Sequence, residues 1–158
     1  MNEATRQVMH SSAKDDWRTP LAFFKWLCGK IAITADVDWS APIIPGWPEG
    51  HSALDLWPEL HGNIYCNPPY GRQLEQWLER GAEACRWYAI SVVWLLPART
   101  DTAWFHKYAK NNGVWFLKGR LTFEGAPAPA PFPSMLLHQT AWRSNGMRCV
   151  DWKAEIGG

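Results

Sequence analysis

Four consecutive residues, Asn67-Pro68-Pro69-Tyr70, carry the densest chemistry in the chain. The Asn67 side chain has a carbonyl oxygen that accepts hydrogen bonds. Neither proline has an N–H, so the backbone here offers acceptors only. Pro69 also biases Pro68 toward an extended conformation. Tyr70 adds a flat face with a polar tip. Two acceptors and a flat ring suit a planar group carrying an NH2, such as the N6 amine of adenine. If the Asn67 oxygen and the Pro68 carbonyl each accept one N6 hydrogen, the nitrogen is drawn toward tetrahedral geometry. Its lone pair then becomes available to attack a methyl sulfonium. Hydrogen bonds aimed at developing charge are the efficient kind. Tyr70 would stack on a base swung out of its duplex, because the amine cannot be reached inside the stack. Asn-Pro and Pro-Pro are also common in ordinary turns. The position of the tetrapeptide, directly after an apolar strand segment, favours a site.

Catalytic side chains need elements to hold them, and the pattern along the chain supplies these. Thr19-Pro20 reads as a helix start, with Thr19 as cap and Pro20 in the first helical position. Leu21, Phe24, Leu27 and Cys28 would share the buried face of that helix, which ends near Gly29. Ile31 to Val37 reads as a short strand. Pro42 through Gly50 holds too many breakers for a regular element. Asn63 to Cys66 is a strand running straight into the tetrapeptide. Gln73 to Tyr88 is helical, with Leu74, Trp77, Leu78 and Ala82 on one face. Ala89 to Leu96 is a continuous apolar run, the pattern of a strand buried on both faces. A helix over Thr102–Asn111 and a strand over Val114–Leu117 follow. Gly119 to Gly125 is a turn or short strand, and Ala126 to Pro133 a stiff surface loop. Strands over Met135–Gln139 and Met147–Trp152 close the pattern.

Alternating strands and helices around an apolar central strand predict an α/β domain. The expected architecture is three-layer, with a mostly parallel sheet and helices on both faces. Ligands of such sheets bind beyond the carboxyl ends of the strands. The chain has 158 residues, the size of one domain. Residues 1–14 read as a flexible N-terminal arm and residues 15–158 as the single domain. Charged residues make up 20% and hydrophobic residues 47% of the sequence, a globular composition. A formal net charge of +1 gives no nucleic-acid signal from charge alone. No apolar run approaches membrane-spanning length. The four cysteines have no metal-ligand spacing and no signal-peptide pattern precedes them, so reduced, mostly buried thiols in the cytoplasm are expected. The five histidines are scattered, and no metal site is expected. Most of the twelve tryptophans are expected to pack in the core, with one or two available for stacking.

Asn67 to Tyr70 resembles the [DNS]-P-P-[YFW] motif of amino-methyltransferases. More narrowly, the chain resembles the phage-type DNA N6-adenine methyltransferase family over roughly residues 16–140. The likeness takes in Asp16-Trp17-Arg18-Thr19-Pro20 and Val37-Asp38-Trp39-Ser40-Ala41. It continues through Tyr65 to Gly71, then Leu95-Leu96-Pro97-Ala98-Arg99-Thr100 with Trp104-Phe105. It ends on Gly119-Arg120-Leu121, Phe123 and Pro133-Ser134. The resemblance implies a Rossmann-like methyltransferase fold and methylation of adenine in double-stranded DNA with S-adenosylmethionine as cofactor. It also implies protection of phage DNA from restriction, in a host-cell cytoplasm.

The resemblance matches Asp38 to the family's acid for the methionine amino group or the ribose. Asp36 is the second acid there, expected to point more toward solvent. Trp17, Thr19 and Pro20 match a motif lining the methionine end, a role compatible with capping a helix. Asp55 precedes the tetrapeptide strand, where an acid can accept from the cofactor's adenine amine. Trp39-Ser40-Ala41-Pro42 stands where many methyltransferases carry a glycine-rich loop. Arg99, Thr100 and Arg120 are the candidate phosphate or base contacts. The long connections 42–62 and 119–134 are the candidate specificity loops. Two other readings stay open. One is methyl transfer to RNA or to a protein glutamine amide, which the same tetrapeptide serves. The other is a non-catalytic DNA-binding relative.

Overall fold

The computed structural model describes residues 18–38, 61–142 and 146–157. The predicted arm, the Pro42–Gly50 segment, Trp17 and Asp55 lie outside them. The chain runs α1 (Leu21–Lys30), β1 (Ile33–Asp38), β2 (Asn63–Asn67), α2 (Leu74–Tyr88), β3 (Ser91–Pro97), α3 (Ala103–Tyr108), β4 (Gly113–Leu117), β5 (Ser134–Gln139), β6 (Gly146–Val150) and α4 (Trp152–Ile156). The six strands form one sheet in the order β1-β2-β3-β5-β4-β6. β1, β2 and β3 are parallel neighbours, as are β4 and β6, while β5 runs antiparallel to both β3 and β4. β5 is thus the one reversed strand, and the architecture is the expected α/β class.

Two cores lie on opposite faces of the sheet. On one face α2 and α3 bring Leu74, Trp77, Leu78, Phe105 and Tyr108 onto Ile64, Cys66, Val92, Trp94 and Leu96. On the other, α1 and α4 bring Phe23, Leu27 and Trp152 onto Tyr65, Val93, Leu95 and Leu136. The strand alternation of period two assigns each side chain to its face. β3 is buried at every position after Ser91, as its unbroken apolar run predicts.

Several expectations change. α1 buries Phe23, Trp26 and Leu27, whereas Leu21 and Cys28 are exposed and Phe24 is half-buried. Apolar residues surround this helix, so its sequence leaves the phase to its partners. Trp152 of α4 meets Phe23 edge-on at 5.2 Å, and the Trp26 Nε1–H donates to Glu155 Oε2 at 3.0 Å. Trp152 therefore starts a helix rather than ending a strand. Pro20 is the N-cap and makes no side-chain cap bond. The Glu124 carboxylate accepts from the Leu21 N–H at 2.9 Å instead. Ala89 leaves the predicted strand and ends α2 in the left-handed region, at φ 55°. Residues 126–133 are not all surface: Ala130 is buried and Phe132 packs inward. Cys66 and Cys85 are buried, but Cys28 and Cys149 are exposed. Of the described tryptophans, Trp87 and Trp142 are exposed and Trp26, Trp77, Trp94 and Trp152 are buried.

Candidate active site

The carboxyl ends of β1, β2, β3 and β4 lie along one edge of the sheet, joined there by the amino end of reversed β5. Asn67 is the last residue of β2 and is 3% exposed. Its backbone neighbours in register are Asp38 on one side and, one step past Cys66↔Trp94, Leu95 on the other. The predicted strand therefore delivers Asn67 to the edge where open α/β sheets bind ligands.

Among the described residues, Thr19 and Tyr70 hold the Asn67 amide. Its Nδ2 donates to Thr19 Oγ1 at 3.4 Å. Its Oδ1 accepts from the Tyr70 hydroxyl at 2.8 Å. That hydroxyl also lies 3.0 Å from the Leu95 carbonyl oxygen. Thr19 Oγ1 in turn lies 2.8 Å from the hydroxyl of Tyr65, which is fully buried. A chain of polar groups thus runs Tyr65–Thr19–Asn67–Tyr70–Leu95. Thr19 comes from the segment before α1, far away in sequence. Its hydroxyl faces Asn67 and Tyr65, not its own helix terminus.

The Tyr70 ring is half-buried. It meets Phe132 edge-on at 5.6 Å and Phe123 edge-on at 6.4 Å. Both phenylalanines come from the β4–β5 connection, so that connection forms a wall of the site. Pro68 is buried and Pro69 half-buried, and the two carry the chain across the sheet edge toward α2.

Other predicted residues fall around this centre. Asp36 is half-buried on the β1 register opposite Tyr65, not turned to solvent. Burial first, and then its negative charge, push the Cys28 thiol above its ordinary range. Arg99 and Thr100 are exposed just beyond β3, and Arg120 is exposed just beyond β4. Arg18 and Arg72 share this rim. Arg18 bridges Glu124 by backbone pairing, and Arg72 follows Tyr70 closely. All four arginines are exposed, and none forms an ion pair among the described residues. Asp101 and Glu124 are acids on the same loops, and Lys118 is paired with Asp151 at 2.7 Å. Composition hid this rim, because net charge averages over the whole surface. Arg18 and Arg72 were findable from their positions beside Thr19 and Tyr70.

The family model described as DNA N-6-adenine-methyltransferase (Dam) matches residues 6–144. The chain belongs to that family. The resemblance is thereby shown at the level of the DNA N-6-adenine methyltransferase family. Among curated proteins, none matches the chain. No cluster of His, Cys, Asp and Glu able to hold a metal ion occurs among the described residues. No described helix is long and apolar enough to cross a membrane.

Proposed function

We propose that this DNA adenine methyltransferase family member transfers a methyl group to the N6 amine of an adenine flipped out of double-stranded DNA. The observation that carries the proposal is the fixed, buried Asn67 amide at the carboxyl end of β2. A carbonyl oxygen has two lone pairs, so the Tyr70 contact does not exclude an amine hydrogen. Asn67 Oδ1 and the Pro68 carbonyl accept the two N6 hydrogens, which leaves the nitrogen lone pair directed at the methyl donor. Pro69 keeps Pro68 extended, and the Tyr70 ring supplies the stacking face. No general base is needed until the methylated amine loses its extra proton, which water can take.

S-adenosylmethionine, when bound, supplies a methyl group activated by a sulfonium. The donor set of β1 fits that cofactor. Asp38 stands beside Asn67 in register, with parallel strands about 4.8 Å apart. Its carboxylate type suits an ammonium or a ribose hydroxyl. The Asp36 Oδ1 is buried on the same strand and suits the same partners. Pro20, Trp17 and Asp55 complete the proposed cofactor residues.

The arginine rim favours nucleic acid over a protein glutamine. Arg18, Arg72, Arg99 and Arg120 form a cationic border about Asn67, with Thr100 among them. Arginine suits phosphate because its planar fork donates in pairs. The test is transfer of labelled methyl from S-adenosylmethionine to unmethylated DNA, with RNA and protein as parallel acceptors. Label is expected in DNA at adenine N6 and to be lost in Asn67→Ala. Full transfer by Asn67→Ala refutes the mechanism. Label in RNA or protein alone moves the substrate, and cofactor binding with no transfer makes the chain a non-catalytic relative.

A further inference from the structure

The site edge carries one buried polar group that the mechanism above leaves unused. Ser134 opens β5, where it pairs in register with Pro97, and is 1% exposed. Its Oγ is buried and has no hydrogen-bond partner among the described residues. A buried hydroxyl without a partner is unfavourable, and alanine would fill the position at no such cost. The other two buried polar residues of the sheet are in networks. Asn67 contacts Thr19 and Tyr70. Gln139 accepts from the Trp94 Nε1–H and donates to the Leu78 carbonyl, each at 3.0 Å.

Alternation along β5 gives the direction of the hydroxyl. Met135 and Leu137 lie in the core under α2 and α3, while Leu136 lies in the opposite core. Ser134 therefore shares the face of Leu136, which is the face of Tyr65 and Leu95. Tyr70 and Phe132 pack against that same core. Phe132, two residues before Ser134, touches the Tyr70 ring. The backbone holds the corner, since the Ala98 N–H donates to the Pro133 carbonyl at 2.8 Å. Asn67 shares that face by the same alternation from Tyr65, two strands away in the sheet order β2-β3-β5.

We propose that the Ser134 hydroxyl positions the target base by donating to a ring nitrogen of adenine beside the amine. This rests on the adenine reading of the site. N1 and N7 lie on either side of the exocyclic amine and both are acceptors, so either can take the serine proton. Asn67 and Pro68 recognise only an NH2 group, which cytosine also carries. A donor at the ring nitrogen adds a second point and fixes the base in its plane. Adenine bound there gives the buried hydroxyl an acceptor that no described residue supplies.

The experiment compares the wild-type protein, Ser134→Ala and Ser134→Cys. The substrates are duplexes carrying adenine, 7-deazaadenine or 1-deazaadenine at a position the wild type methylates. Wild type is expected to lose about ten-fold in kcat/KM on one deaza substrate, the scale of one hydrogen bond. Ser134→Ala is expected to lose about the same factor on adenine and nothing further on that deaza substrate. Its melting temperature is expected to stay level or rise, because an unpaired buried hydroxyl has gone. Ser134→Cys, a weak donor of similar volume, should fall between. An active wild type with Ser134→Ala equally active overturns the proposal. So does an equal loss on all three substrates, or a loss that tracks a fall in melting temperature. A wild type that methylates no adenine refutes the adenine reading itself.

Discussion

Replacing Thr19 by valine separates two roles for one hydroxyl. Valine keeps the branched shape and removes the oxygen. The polar chain at Asn67 then loses the Thr19–Tyr65 contact of 2.8 Å and the Asn67–Thr19 contact of 3.4 Å. A typical intramolecular hydrogen bond contributes about 0.5–1.5 kcal/mol net, and the longer contact belongs at the low end. The expected loss of stability is therefore about 1–2 kcal/mol. For a domain of this size that lowers the melting temperature by roughly 2–8 °C. The amide keeps its Tyr70 anchor at 2.8 Å but can rock about it. The rate should then fall about ten-fold, less than the ~10²-fold that a full 1 Å misplacement costs. The assay is single-turnover methyl transfer to DNA, with cofactor affinity measured separately by calorimetry. If Thr19 positions Asn67, the transfer rate falls and cofactor affinity is unchanged, and Thr19→Ser restores most of the rate. Weaker cofactor binding with an unaltered rate would return Thr19 to the wall of the methionine site. An unaltered rate and affinity together would show that the 3.4 Å contact does nothing.

Gly81 of α2 lies against Trp94, where an added Cβ would stand 2.3 Å from Trp94 Cζ2 and 2.7 Å from Gln139 Oε1. Gly81→Ala should lower stability by about 1–3 kcal/mol through overpacking, read as a fall in the urea midpoint with an unchanged slope. Burial pushes the His138 imidazole below its ordinary value near 6.5. The unfolded chain therefore binds a proton at mildly acidic pH that the folded one refuses, so stability falls as pH drops below about 6.5. His138→Gln should flatten that part of the profile in urea titrations at pH 7.5 and 5.5. An equal slope in the variant would assign it to other groups.

The strands were the legible part of the fold. β3 announced itself by seven residues with no charge, and β2 by its run into Asn67. The helix faces were harder. In α1 the apolar residues Leu21, Phe23, Phe24, Trp26 and Leu27 admit more than one buried stripe. α4 chose among them by placing Trp152 and Glu155 against Phe23 and Trp26. No periodicity within α1 encodes that partner. Reversal of β5 was also silent, because an apolar strand reads the same in either direction. The site divides likewise. Asn67 and Tyr70 could be read from type and order. The reach of Thr19 to Asn67 could not, since it depends on where the α1 entry crosses β2. The arginine rim needed the sheet edge to bring four separate loops together.

The order of hydrogen bonds at Asn67 explains why its neighbours are hydroxyls. An amide offers an acceptor at one end and donors at the other. Turned by half a rotation, Asn67 would present its NH2 to an incoming NH2 and repel it. Thr19 cannot set the orientation alone, because a hydroxyl both donates and accepts. Tyr70 also has a hydroxyl, but Leu95 restricts it. The Leu95 carbonyl can only accept, and it lies 3.0 Å from the Tyr70 oxygen. The single Tyr70 proton is thus shared between Leu95 and the Asn67 oxygen at 2.8 Å. While the proton points to Leu95 the Tyr70 oxygen is an acceptor that suits the amide nitrogen, so the Asn67 oxygen is favoured there only while the proton points to it. Thr19 then receives the amide nitrogen. The Tyr70 and Thr19 contacts therefore together set the direction of the group proposed to accept the amine, while the Leu95 carbonyl competes for the Tyr70 proton.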